Sequence, residues 1–182
     1  MAIVAAAAVA LGGVITAAVA GLVTDGALLP SLRQQAPYDI SARTAPHGRV
    51  VLTFASAVGN VGSGPLVLNG RRAKGARDMT VTQEVLNADG TRTQLPVQGS
   101  MRYTPFGHNH WHWRDFDSFE LHDPATGQPV AVGHKIGFCL GSRFTVDVPV
   151  PGTPAAPAIN NNCGRFITDA TRMRMGIDVG YA

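Results

Sequence analysis

Beyond residue 30, apolar and polar positions alternate in short runs, and a period of two predicts strands. Arg49-Val50-Val51-Leu52-Thr53-Phe54 is apolar and β-branched and leads toward a glycine-rich stretch at 59–64. Residues 78–87 (DMTVTQEVLN) place Met79, Val81, Gln83 and Val85 on one side. An Ala88-Asp89-Gly90 turn and a second alternating run at 91–97 complete the pattern of a β-hairpin. A second hairpin is expected between 110–122 and 129–140, joined by Asp123-Pro124-Ala125-Thr126-Gly127-Gln128, which is rich in turn residues. Residues 149–164 hold four prolines and three consecutive asparagines and read as loop. No stretch after residue 24 has a long helical period, and no internal repeat is present. The pattern predicts a mostly-β fold, a β-sandwich with long Gly/Pro-rich loops, over residues 30–182. It does not give the order of strands in the sheets.

The N-terminus follows a different pattern. Residues 1–23 carry no charge, and only Thr16 and three glycines interrupt the apolar residues. This length suits a membrane anchor. It also suits a signal peptide, with Ala18-Val19-Ala20 as a small-residue cleavage site before Gly21. No basic residue follows Met1, which departs from the usual signal-peptide start. Either reading exports the rest of the chain, and a membrane contact is expected only through this segment if it is retained. A secreted or cell-envelope location follows. Cys139 and Cys163 then make an even pair in an oxidising compartment and are expected to form one disulfide.

Composition narrows the functional classes. The chain has 182 residues, a net charge of +3 and only 15% charged residues. That suits one domain. No Lys/Arg stripe alternates with aromatics, so a nucleic-acid partner is not expected. Thirteen of the fifteen basic residues are arginine, the two lysines being Lys74 and Lys135. Five of the six histidines fall between residues 108 and 134.

His108, His110 and His112 stand at i, i+2 and i+4, which in a strand is one face. Imidazole suits copper, zinc, iron and nickel. A straight strand separates the outer two backbones by about 13 Å, so the strand must bend or the rings must lean together; Pro105 and Gly107 lie just upstream. Neither a neighbouring thiolate nor an H-E-x-x-H helix is present, which argues against the common zinc templates. Lys135 stands within the apolar run 130–140. A desolvated lysine has a lowered pKa and becomes an amine nucleophile; the bland alternative is a lysine paired with Asp115 or Asp117, or snorkelling to solvent.

Several motifs together resemble the lysyl oxidase family. They are Gly107-His-Asn-His-Trp-His112, Asp115-Phe116, Glu120-Leu121 and Val132-Gly133-His134-Lys135-Ile136-Gly137-Phe138-Cys139-Leu140. The upstream Arg49–Phe54 run with Gly59–Gly64, and the downstream Gly176-Ile-Asp-Val-Gly180, also fit. The resemblance covers roughly residues 37–182, most weakly at 70–100 and 141–170.

This resemblance implies a copper-dependent amine oxidase. It would oxidise primary amines, peptidyl lysine included, to aldehydes with O2, releasing H2O2 and ammonia. His108, His110 and His112 would hold Cu(2+), and Lys135 would join an oxidised tyrosine to form lysine tyrosylquinone. Asp115 and Asp117 are both candidates for the proton-abstracting base. By the family's spacing the cofactor tyrosine is expected about three residues beyond Ala182, as in a microbial-type member cut short; Tyr38, Tyr103 and Tyr181 do not occupy its place. The chain also has fewer cysteines than the animal enzymes. The competing expectations are a copper-binding β-sandwich without oxidase activity, and an envelope structural domain whose histidines are incidental.

Overall fold

The computed structural model describes residues 26–134, 137–159 and 162–182. The apolar segment 1–23 and Lys135 lie outside the described residues. Among the described residues twelve strands follow one another: β1 (Ala27–Leu28), β2 (Leu32–Gln34), β3 (Tyr38–Thr44), β4 (Val50–Ala55), β5 (Val58–Asn60), β6 (Leu66–Arg71), β7 (Asp78–Asn87), β8 (Arg92–Thr104), β9 (His110–Trp113), β10 (Ser118–His122), β11 (Pro129–His134) and β12 (Arg172–Ile177). One 3-10 turn covers Pro46–Gly48. The mostly-β expectation is met, and no helix of the described residues is long and apolar enough to cross a membrane.

Among the described residues all strand pairings are antiparallel. The main sheet runs β12-β6-β7-β8-β9, with β1 added beside β7. The ribbons β2–β5, β3–β4 and β10–β11 are separate two-stranded sheets. The period-two reading of 78–87 is visible in burial: Met79, Val81 and Val85 are buried while Thr80 is exposed. The hairpin after it forms with Asn87 donating to Thr91 across the turn, and its second strand continues to Thr104.

The core lies on one face of the main sheet. Leu66, Leu68, Met79, Val81, Met101, Trp111, Trp113, Met175 and Ile177 form it, closed from the other side by Val58 of β5 and by Phe138, Leu140, Cys163 and Tyr181. The second layer is therefore a short ribbon plus loops rather than a broad sheet. Two buried polar side chains of this layer, Asn60 and Asp178, are hydrogen-bonded. The Asn60 amide donates to the Gly64 and Ile177 carbonyls and accepts from the Ser31 and Gly62 amides. Asp178 accepts from the Ser142 hydroxyl and the Ile159 amide. These bonds hold the last segment of the chain beside the glycine-rich stretch at 59–64.

The second predicted hairpin is real but shorter than expected. β10 pairs with β11, Ser118 opposite His134 and Phe119 opposite Gly133. Residues 110–113 do not belong to it. They pair instead with the end of β8, Thr104 opposite His110 and Arg102 opposite His112. Trp113 reaches the other segment, exchanging backbone hydrogen bonds of 2.9 Å with Phe138. The reason is local: residues 105–109 make a tight reversal, with Phe106, Gly107 and Asn109 all at positive φ. That reversal folds β9 back on β8 before any longer-range partner is available.

Candidate metal centre

The alternation of His110-Trp111-His112-Trp113 sorts the side chains onto the two faces of an edge strand. Trp111 is fully buried on the core side, and its indole N–H donates to the Ile167 carbonyl at 2.8 Å. The Arg72 guanidinium covers its ring at 4.4 Å and is itself held by the carbonyls of Ala170, Thr168 and Ala76. Two buried tryptophans thus fix the strand, and the histidines must take the opposite face.

His108 is not on the strand. It lies in the reversal, and the bend there brings it back over the other two. The ring centroids are 5.7 Å apart for His108 and His110, 5.0 Å for His108 and His112, and 4.6 Å for His110 and His112. One nitrogen from each ring lies within 4.8 Å of the others. The straight-strand alternative is excluded by this turn. His108 is exposed, His110 half-buried and His112 buried, so the cluster opens to solvent at one end.

The outer nitrogens are oriented. His110 Nδ1 lies 2.6 Å from the His108 carbonyl oxygen. A carbonyl only accepts, so this nitrogen carries the proton and Nε2 keeps its lone pair. His112 Nδ1 lies 3.3 Å from the Thr104 hydroxyl. The two Nε2 atoms face each other at 2.7 Å. Partners on the far nitrogen that fix tautomer and ring orientation are characteristic of metal-binding histidines. Burial holds the His110 pKa below the ordinary histidine value, and the positive charges of Arg165 and Arg143 act in the same direction.

The surroundings hold β9 from its free edge. The Trp111 amide donates to the Cys163 carbonyl at 2.9 Å, and the Phe166 amide to the Asn109 carbonyl at 2.7 Å. The expected Cys139–Cys163 disulfide is present, with the two Cα atoms 5.7 Å apart. It joins the segment beside Trp113 to the segment beside Trp111. Gly137 allows the first of these to approach: a Cβ there would fall 2.6 Å from the Trp113 oxygen and 2.9 Å from His112 Cβ.

The remaining expected site residues are less closely gathered. Asp115 is exposed, at positive φ just after β9. Asp117 is half-buried just before β10. Of the histidines outside the triad, His122 serves its own hairpin, with Nδ1 2.8 Å from the Gly127 carbonyl and Nε2 2.9 Å from Glu120. The tyrosines are engaged elsewhere. Tyr103 stands opposite Trp111 on the other face of the sheet from His110 and His112. The Tyr181 hydroxyl donates to the Pro154 carbonyl at 3.0 Å. Tyr38 is exposed on β3. Thr104 and Gly137 were missed in the sequence; only the β8–β9 pairing makes Thr104 a neighbour of the triad.

The donor set fits a late first-row divalent metal: three imidazoles, no competing thiolate, and two orienting partners. Comparison of the chain with protein-family models, curated proteins and solved structures finds no match in any of the three.

Proposed function

We propose that the protein is an extracytoplasmic copper protein that oxidises primary amines, peptidyl lysine included, to aldehydes with O2, releasing H2O2 and ammonia. The observation that carries the metal reading is the convergence of the His108, His110 and His112 rings, with His110 Nδ1 held by a carbonyl and its Nε2 turned inward. Copper among the common imidazole metals is favoured by the resemblance of the H-x-H-x-H and Gly-His-Lys elements to lysyl oxidases. Bound copper would supply electron transfer with oxygen. The chain's own part is to hold the ion through three imidazoles, to exclude water behind His112, and to offer a carboxylate for proton abstraction. Asp117, half-buried, is better shielded for that role than exposed Asp115. Lys135 is the proposed lysine of the tyrosylquinone cofactor. The disulfide is consistent with the proposed location.

A second reading has its own observation. Among the described residues Tyr103 faces away from the triad and the Tyr181 hydroxyl is occupied by Pro154. On this reading the chain binds copper, and neither of these tyrosines enters a quinone. Aerobic copper loading, metal analysis and a quinone redox-cycling stain separate the two. Stoichiometric copper, a positive stain and peroxide release from a primary amine, lost in His110→Ala and Lys135→Arg, support the oxidase. Stoichiometric copper with a negative stain leaves the copper-binding module. Absence of stoichiometric metal removes both.

A further inference from the structure

A second cluster lies at the other edge of the main sheet. The register sets Arg172 of β12 directly opposite Arg71 of β6, and Arg174 opposite Asn69. Arg71 is in turn opposite Thr80, Asn69 opposite Thr82, and Thr80 opposite Ser100. Directly opposed residues in an antiparallel pair project on the same side. The three arginines therefore share one face with Asn69, Thr80, Thr82 and Ser100, and all three are exposed. The reverse face of these strands is core, where Leu68, Met79, Met101 and Met175 are fully buried. The arginines stand on a rigid platform, not on a loop.

Arg71 and Arg172 set two like charges side by side on this platform. Like charges directly opposite one another in a sheet are destabilising. The carboxylate nearest along β7 is Asp78, and Arg102 already holds both of its oxygens. Glu84, farther along the same strand, is held by Arg92 and Gln94. Among the described residues, Arg71 and Arg172 enter no ion pair.

We propose that this face binds an extended acidic polysaccharide through its anionic groups. Charge complementarity supports that occupant. Arg71 and Arg172 are one strand spacing apart, about 4.8 Å, which lets two guanidinium forks grip a single sulfate or carboxylate from both sides. Arg174 lies two residues along, roughly 7 Å away, and meets the next part of the polymer. The hydroxyls and amide beside them suit sugar hydroxyls. None of these seven face residues is aromatic, so the stacking surface used by single-stranded nucleic-acid sites is missing. His110 and His112 lie on the same face of the opposite edge strand, four strand spacings away, on the order of 19 Å. A polymer held here would keep its associated material close to the metal centre.

The test is titration of the whole protein with dextran sulfate and polygalacturonate at about 0.15 M salt, with polyglutamate and single-stranded DNA as comparators. The expected result is saturable binding of both polysaccharides. An Arg71→Gln/Arg172→Gln variant should bind at least tenfold more weakly and show a shallower salt dependence. Arg33→Gln/Arg43→Gln, which removes two exposed arginines from β2 and β3, should bind as the parent does. Single Arg172→Gln on the edge strand gives the same reading if the double variant is unstable. Equal losses in the patch and control variants would mean net charge alone. Tighter binding of DNA or polyglutamate, or unchanged binding in the patch variants, would also overturn the proposal.

Discussion

His110 Nε2 stands 2.7 Å from His112 Nε2, and the far nitrogen of His110 is protonated toward the His108 carbonyl. Two lone pairs cannot face each other at that distance without a cation between them. Without a bound cation, that contact requires a proton on His112 Nε2 donated to His110. A metal ion replaces that proton. We expect one copper ion per chain, with thermal stability rising as copper is added and falling again with a chelator, because a ligand that binds only the folded state stabilises it. His110→Ala should abolish stoichiometric binding. A variant that still takes up one ion per chain at unchanged affinity would show that the metal lies elsewhere.

Thr104 makes the proton exchange at His112 workable. Its hydroxyl donates to His112 Nδ1 when Nε2 carries the proton, and accepts from Nδ1 when Nε2 is given to a metal. Thr104→Val keeps the shape and removes both roles. The strand should remain, since Thr104 pairs with His110 through the backbone. Copper affinity should fall roughly tenfold, the lower end of what loss of such a partner costs. Competition with a chromophoric chelator would measure it, and an affinity equal to the parent's would remove Thr104 from the site.

These relations show which parts of the site were readable from residue order. The alternation of 78–87 runs through Met79, Val81 and Val85, so its strand and hairpin could be read directly. His110-Trp111-His112-Trp113 alternates equally well, and the face assignment follows from it. Its partner does not, because alternation says nothing about which strand lies alongside. The partner is chosen by the reversal at 105–109, and two of its positive-φ residues are Phe106 and Asn109. Phenylalanine in that conformation is uncommon, and no pattern announces it. The resulting β8–β9 pairing is what supplies Thr104. The disulfide was readable because two cysteines in a chain expected to be exported leave one pairing. The separate environments of Asp115 and Asp117 were not, since they depend on the irregular link between β9 and β10.

Asp78, Arg102 and His112 form one cross-strand row. The Arg102 guanidinium hydrogen-bonded to Asp78 holds its carboxyl below the ordinary carboxylate value. A depressed folded pKa means stability that is fully present above the unfolded pKa and lost as pH falls through the folded one. Acid should therefore destabilise the protein from about pH 4 downward through this pair. Asp78→Asn should lower stability at neutral pH and flatten that part of the acid limb. Chemical denaturation at several pH values distinguishes the outcomes; parallel curves for parent and variant would mean the pair is screened into irrelevance.

The Cys139–Cys163 bond closes a loop across a sequence separation of 24. Cross-linking a loop of that length is worth about 3 kcal/mol in the chain-entropy account. Its position suggests a second consequence. Cys163 offers its carbonyl to the Trp111 amide, while Cys139 follows Phe138, which exchanges hydrogen bonds with Trp113. The disulfide thus joins the two segments that hold the outer edge of β9. Cys139→Ser/Cys163→Ser should lower unfolding stability by that order. It should also weaken copper binding under conditions where near-ultraviolet circular dichroism shows the tryptophans still packed. Loss of stability with copper affinity unchanged would make the bond a staple for the fold alone. Loss of affinity in the still-folded variant would establish that it positions the histidine strand.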